Sequence, residues 1–171
     1  MMLADVKKQL TEIALVAEVE VPAPPPAEGE PPAPAAKVAQ PLCQETSYRA
    51  KGYHLDVTVA PTDVVQAAQV LRSADFFIEA VTGVDWIKEK ELEVVYDFNH
   101  WQANCRVVIR ARVDRAKPEI PTISTVFSGA DWHERETHDF FGIIFQGLDD
   151  LGPFLLPEDA DYHPLLKDFK A

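Results

Sequence analysis

The sequence predicts an α+β fold, with a mostly antiparallel sheet and helices packed on one face of it. Apolar and polar residues alternate at 53–59, 92–98 and 107–113, which is typical of half-buried strands. A further stretch at 64–71 has apolar residues at helical spacing. Strands and helices do not alternate strictly along the chain, so a purely parallel sheet is not indicated.

The first predicted elements follow one another closely. After the strand at 53–59, Pro61 and Thr62 are expected to open a helix, with Thr62 as its N-cap. Residues 76–81 are predicted to form a second strand, which ends in a turn at the Thr82-Gly83 pair.

The next two strands, at 92–98 and 107–113, are separated by a short polar stretch at 99–104. This spacing predicts an antiparallel hairpin. Beyond it, apolar residues at 120–127 follow two prolines and predict a short helical segment.

The chain divides by composition into three parts. Residues 1–21 predict an amphipathic helix, which packs either on its own domain or on another subunit. Residues 22–41 hold eight of the fourteen prolines and predict a semi-rigid linker rich in Pro and Ala, with a polyproline ligand as the alternative. Residues 42–171 form the predicted globular domain.

Composition excludes several classes of function. The net charge of −12 disfavours binding to nucleic acid or to anionic lipid. The two cysteines lie in no CxxC pair, so neither a cysteine-held cluster nor a disulfide framework is expected. We find no apolar segment long enough to cross a bilayer and no signal peptide, which predicts a cytoplasmic protein.

The most informative segment is 130–143, which predicts a short charged helix. Asp131 and Glu134 have the spacing of a capping box, and Gly142 is placed to end the helix in a left-handed conformation. Arg135 lies four residues from both Asp131 and Asp139, so it can pair with either. By composition alone, this is a charged surface helix with an aromatic seam.

A metal site in this segment is a weaker hypothesis. Glu134 and His138 are separated by four residues, and His163 could supply a third ligand. His133 and His138 are five residues apart, so no HExxH motif is present. The sequence also has no phosphate-binding glycine loop and no GxSxG, which argues against an independent enzyme.

The stretch Trp132-His133-Glu134-Arg135-Glu136, followed by Asp139-Phe140-Phe141-Gly142-Ile143, resembles the signature of the 30 kDa subunit of respiratory complex I. The same subunit type occurs in energy-converting membrane-bound [NiFe] hydrogenases. Residues 155–159 and 163–169 are similar to the closing segment of that family. The resemblance is specific over 130–171 and does not cover the first 41 residues.

The resemblance implies a cofactor-free, non-catalytic scaffold subunit on the cytoplasmic face of a membrane, which it reaches only through the complex. The implied partners are a large catalytic subunit, of the 49 kDa or [NiFe] hydrogenase type, and a small iron-sulfur subunit. Arg135 could pair with a carboxylate of a partner, or the same ion pairs could hold the helix to its own sheet. The candidate interface residues are Trp132, Glu134, Arg135, Glu136, Asp139, Phe140, Phe141, Gly142, Lys167 and Asp168.

The sequence departs from the family pattern after the signature. Complex I members usually continue with a His-Pro-Asp-Leu-Arg-Arg run, whereas this chain has Gly-Leu-Asp-Asp-Leu-Gly-Pro at 147–153. The chain thus lacks the arginine pair of that run, and lysine is a poor substitute for arginine where bidentate contacts matter. The missing arginines favour the hydrogenase branch slightly over an NADH-quinone oxidoreductase. A stand-alone metal-dependent enzyme and an adaptor acting through its proline-rich segment are the alternative functions.

Overall fold

The computed structural model describes residues 2–21 and 36–170. Its helices are α1 Met2–Ile13, α2 Tyr48–Lys51, α3 Val64–Ser73 and α4 Ala130–Phe141. Its strands are β1 Val16–Val21, β2 Ala36–Pro41, β3 Cys43–Glu45, β4 Leu55–Thr58, β5 Phe76–Trp86, β6 Glu91–His100, β7 Arg106–Asp114, β8 Glu119–Pro121 and β9 Ile144–Gln146. The predicted α+β class is confirmed.

The main sheet has five strands in the order β3-β4-β7-β6-β5. All neighbours are antiparallel except β4 and β7, so the sheet is mixed rather than purely antiparallel. The predicted hairpin is confirmed, because β6 and β7 pair antiparallel along their length. Two small sheets complete the topology: antiparallel β1-β2 and parallel β8-β9.

One face of the main sheet forms the core. Directly opposite residues in a sheet point to the same face, which places Val81, Tyr96 and Ile109 side by side across three strands. These residues belong to one buried cluster with Leu10 of α1 and Leu71 of α3. Helices α1 and α3 therefore cover the same face of the sheet, as the alternation in the strands predicts.

The helix after β4 does not begin as predicted. Pro61–Asp63 form a 3-10 turn, and α3 begins at Val64. The Thr62 hydroxyl donates to the Asp63 side chain at 3.2 Å and caps no backbone N–H. Thr62 is therefore not the N-cap. The 3-10 turn that begins at Pro61 leads the chain into α3 without a side-chain cap.

The N-terminal part also differs from the prediction. The helix ends at Ile13, and the chain continues into β1, which pairs with β2. Residues 36–41 of the predicted linker are thus part of a strand pair, and residues 22–35 lie outside the described residues. Val6 and Leu10 are buried, so α1 packs on its own fold. The three-part domain division remains a prediction.

Two further elements differ from their predictions. Residues 82–83 form no turn, since β5 runs on to Trp86. The segment 120–127 is not helical: it begins in β8 and continues in turns. Backbone pairing between β8 and β9 explains the difference, because β9 comes from beyond α4 and a local pattern cannot reveal it.

Helices long and apolar enough to cross a membrane are absent from the described ranges.

Candidate interaction site at helix α4 and the C-terminal segment

Helix α4 is held at its two ends in different ways. Its N-cap is Gly129, which offers no side-chain hydrogen bond, so the predicted capping box of Asp131 and Glu134 is wrong. The C-terminal prediction for Gly142 is confirmed: its φ is 74°, and its N–H donates to His138 O at 2.8 Å. The ring of His163 lies 2.7 Å from the place a Cβ on Gly142 would take.

Glu134 is directed into the core instead of capping the helix. It is 0% exposed, and its carboxylate accepts hydrogen bonds from the Ile123 N–H at 2.9 Å and from the Thr122 hydroxyl. Burial raises the pKa of Glu134 to about 7, although these two hydrogen bonds act in the opposite direction. The carboxyl of Glu134 therefore joins α4 to the segment after β8.

The buried hydroxyl of Tyr96 faces the same region. Tyr96 is 1% exposed, and its hydroxyl has no hydrogen-bond partner among the described residues. Burial, and then the negative charge of Glu134, raise its pKa. Burial thus favours the protonated, uncharged form of both Tyr96 and Glu134 beneath α4.

Arg135 pairs with neither of its predicted partners. Its guanidinium lies 3.2 Å from the Asp150 carboxylate, beyond the end of the helix. It also lies over two rings, 5.7 Å from the centre of Trp132 and 5.2 Å from that of Phe154. Arg135 therefore connects the middle of α4 with the segment that follows β9, and pairing with Asp131 or Asp139 is not observed.

The Asp139 side chain binds the backbone of the segment that follows β9. One carboxylate oxygen accepts N–H groups from Phe154 at 2.9 Å, Leu155 at 2.6 Å and Leu156 at 3.1 Å. Burial alone would raise the pKa of Asp139, but the three hydrogen bonds outweigh it, and the pKa is lowered. A buried charge that receives three donors holds residues 154–156 against α4.

The two histidines of the metal hypothesis serve the backbone. His138 Nδ1 donates to Ile143 O and His163 Nδ1 donates to Asp139 O, each at 2.8 Å. Their ring centres are 6.1 Å apart, but Glu134 is turned away into the core. Within residues 2–21 and 36–170, no three His, Cys, Asp or Glu side chains are grouped to hold a metal ion.

The aromatic residues of the motif divide between interior and surface. Phe141 packs against the core, with its ring over Gly83 of β5. Phe140 is half-buried, and its carbonyl accepts the Leu165 N–H at 3.1 Å. Trp132 is 57% exposed.

The last part of the chain is held by a pair that the sequence did not reveal. Asp85, with a side chain 1% exposed, receives Arg115 Nε at 3.0 Å and Arg115 Nη2 at 3.2 Å. Its second oxygen also accepts the Lys167 N–H at 2.8 Å. The same guanidinium contacts Asp168 at 2.5 Å. Asp85 faces the core side of β5, which would have marked it as a buried acid. The strand predicted at 76–81 ends before this residue.

A second polar cluster lies on the opposite face of the sheet. Arg110 donates to Asp56 at 2.8 Å, Arg112 donates to Glu91 at 3.0 Å, and Trp86 Nε1 donates to Glu93 at 3.0 Å. These groups pair with one another, so the cluster is a stabilised sheet surface rather than a reactive centre.

The fold and the site define an α+β domain whose charged motif residues bind and order its own C-terminal segment. The chain belongs to the family described as the 30 Kd subunit of respiratory-chain NADH dehydrogenase, whose pattern matches residues 57–171. The resemblance drawn from 130–171 is thereby confirmed.

Relatives support the same family. The C subunit of the NADH-quinone oxidoreductase of Roseiflexus sp. is 40% identical over 119 residues, which is 67% of this chain and 68% of the relative. The corresponding protein of Nocardioides sp. is 41% identical over 113 residues, 63% of this chain and 45% of the relative. The lean towards a hydrogenase is not confirmed by these relatives, because both are named as NADH-quinone oxidoreductase subunits.

Solved structures show the same architecture. A chain of the membrane-bound sulfane sulfur reductase, an archaeal respiratory membrane complex, aligns with a TM-score of 0.66 and 25% identity over 76% of this chain and 78% of that one. The trypsin-resistant fragment of Nqo5 aligns with a TM-score of 0.51 and 27% identity over 60% of this chain and 92% of that one.

Proposed function

We propose that this chain is an accessory subunit in the hydrophilic arm of a membrane-bound redox complex of the NADH-quinone oxidoreductase type. It braces a large catalytic subunit and carries no cofactor itself. The observation that carries the proposal is Trp132, a large aromatic residue that remains 57% exposed within the family motif. Aromatic residues left exposed in this way are enriched at interfaces between subunits.

Family membership supports the finer assignment. The NADH-quinone oxidoreductase type is favoured over the hydrogenase type because relatives at 40% and 41% identity carry that name. The proposed partners are the large catalytic subunit and a small iron-sulfur subunit. The proposed location is the cytoplasmic face of the membrane, reached through the complex.

The ten candidate interface residues take two different roles in this proposal. Glu134 and Asp139 are buried and bonded within the chain, so they position α4 and the C-terminal segment. Direct contact with a partner falls to the more exposed members. These are Trp132, Glu136, Lys167 and Asp168, with Arg135, Phe140, Phe141 and Gly142 half-buried beside them.

Replacement of Trp132 tests the proposal. Trp132→Ala removes the exposed ring, and truncation of a central aromatic residue at an interface costs on the order of 2 kcal/mol of binding free energy. We expect a tagged Trp132→Ala chain to be retained in the detergent-solubilised complex many-fold less than wild type. The measurement is the ratio of tagged chain to large subunit after affinity purification, by quantitative mass spectrometry.

Trp101→Ala is the matched control. Trp101 is 69% exposed and lies in the hairpin loop between β6 and β7. Its ring centre is 4.5 Å from that of Phe77, as the ring centre of Trp132 is 5.0 Å from that of Phe154. We expect Trp101→Ala to leave retention of the chain in the complex unchanged. Equal retention of both variants, or a wild-type chain that purifies alone, would contradict the proposal. The adaptor alternative rests on residues 22–41, of which 22–35 lie outside the described ranges. No described contact favours the metal-enzyme alternative.

A further inference from the structure

We infer that residues 149–169 form a docking surface that combines acidic and apolar side chains. Its occupant is a neighbouring protein subunit whose basic surface presents lysine and arginine around an apolar contact area. We refer to residues 149–169 as the acidic tail. The inference rests on the proposed function and specifies the chemistry of the partner.

The apolar component is large for a segment without regular secondary structure. Leu155 is 54% exposed and Leu165 is 52% exposed, while Tyr162 and Phe169 are 41% and 37% exposed and stack on each other at 5.5 Å. Single exposed apolar residues are ordinary, but four within fifteen residues of one segment are typical of a protein contact surface.

Acidic side chains dominate the charge of the same segment, whose first basic residue is Lys167. No lysine or arginine occurs between Arg135 and Lys167. Asp149, Glu158, Asp159 and Asp161 are exposed, and none of them forms an ion pair with any other described residue. Such a surface attracts a positively charged partner and orients it before contact.

The acidic tail is ordered by contacts on its inner side. Asp139 holds residues 154–156, His163 donates to the Asp139 carbonyl, and the Lys167 N–H donates to buried Asp85. A surface already fixed in one conformation loses less entropy on binding. The chain thus presents its apolar and acidic groups before a partner arrives.

The sign of the charge decides among possible occupants. A symmetric contact between two copies of this chain would place the same carboxylates against one another, which is repulsive. Anionic lipid would be repelled for the same reason. A basic protein surface satisfies both the carboxylates and the apolar side chains.

Zero-length carbodiimide cross-linking of the purified intact complex is the direct test, because it joins only carboxylates and amines in contact. We expect cross-links from Glu158, Asp159 or Asp161 to lysines of a single neighbouring subunit. Cross-links from these residues to lysines of a second copy of this chain would overturn the inference. Their absence, together with unchanged hydrogen exchange of 149–169 between free and assembled chain, would overturn it too.

Charge reversal supplies the second measurement. We expect Glu158→Lys combined with Asp161→Lys to lower retention in the complex about fivefold or more at low salt, with a smaller difference at high salt. Glu12→Lys combined with Glu89→Lys changes the net charge equally at two other exposed positions and should have no such effect. Equal effects of the two double variants would overturn the inference.

These outcomes separate the two proposals. If the chain co-purifies with the complex but its cross-links lie elsewhere, the docking surface is wrong and the proposed function stands. If the wild-type chain enters no complex, the proposed function itself fails.

Discussion

Gly83 of β5 lies directly beneath the ring of Phe141, the last residue of α4. A Cβ placed on Gly83 would lie 2.7 Å from Phe141 Cε2 and 2.8 Å from Cγ. Real Cβ atoms do not approach other heavy atoms so closely, so only glycine lets α4 pack at this distance from the sheet. The position of the motif helix thus depends on a residue nearly sixty positions earlier in the chain.

Gly83→Ala should therefore destabilise the fold. Since the methyl group meets an aromatic ring fixed in the core, we expect a loss of about 1–3 kcal/mol in the free energy of unfolding, measured by chemical denaturation. Gly129→Ala is the control, because its Cβ would meet only Ile78 Cγ2 at 3.6 Å. In a Phe141→Leu background, which makes room, Gly83→Ala should lower the free energy of unfolding by less. If the losses of the two substitutions simply add, the two residues are not in contact.

Asp139→Ala should release the acidic tail without unfolding the sheet. Three N–H groups lose their acceptor, which costs about 1–3 kcal/mol for each donor that stays buried. We expect faster hydrogen exchange at Phe154, Leu155 and Leu156 and unchanged exchange in β6 and β7. Asp149→Ala, at an exposed position, is the control. Unaltered protection of 154–156 in the Asp139 variant would contradict this role.

The same contact predicts a response to acid. The pKa of Asp139 is lowered in the folded chain, so its stabilising effect is complete above the unfolded pKa and declines as pH falls through the folded value. Protection of residues 154–156 should therefore weaken only below about pH 4, since an unperturbed aspartate titrates there. Asp139→Asn should abolish this pH dependence, and a wild-type response centred near neutrality would argue for another group.

Glu134 predicts a pH dependence of the opposite sign. Its pKa is raised to about 7, so the folded chain binds this proton more tightly than the unfolded chain does. Stability from this group is complete below the unfolded pKa and is lost as pH rises through 7. The shift corresponds to a loss on the order of 3 kcal/mol at alkaline pH, as an upper bound.

Glu134→Gln should remove that loss. A glutamine oxygen can accept the Ile123 N–H, and its amide can donate to Thr122, which passes its own hydrogen to Ser124 at 2.8 Å. We expect the variant to equal wild type near pH 5 and to exceed it near pH 8.5 in thermal unfolding. Glu136→Gln, exposed on the same helix, is the control. Parallel pH profiles for wild type and Glu134→Gln would rule out this assignment.

Asp85→Ala should free the end of the chain. It leaves Arg115 and the Lys167 N–H without their buried acceptor, and loss of one partner of such a pair costs about 3–5 kcal/mol. Trypsin provides the readout, because Lys167 is the first cleavage site after Arg135. We expect faster cleavage at Lys167 in Asp85→Ala than in wild type, with Asp168→Ala intermediate. Cleavage at the wild-type rate in Asp85→Ala would show that other contacts hold this segment.

Local periodicity was enough to predict part of the fold. The hairpin of β6 and β7 and the helix stop at Gly142 follow from alternation and from one glycine, and both are observed. The family was also recognisable, because the motif at 132–143 is contiguous. Each of these signals needs only neighbouring residues.

The partners of the motif residues could not be predicted in this way. Glu134 had the spacing of a capping box, but it bonds with Thr122 and Ile123, which another segment brings beneath α4. Arg135 had two acids at helical spacing, yet it pairs with Asp150 between two rings. Tertiary contacts outweigh the few tenths of a kcal/mol that such pairs contribute within a helix.

The contact between Asp85 and Lys167 joins residues 82 positions apart. A growing polypeptide can complete the sheet while residues 149–169 are still being synthesised, but the acidic tail takes its final conformation only once Lys167 has emerged. A partner that recognises this surface would therefore meet it in its final conformation only after this contact has formed. The buried carboxylate of Asp85 thus makes the conformation of the end of the acidic tail depend on a residue of the main sheet.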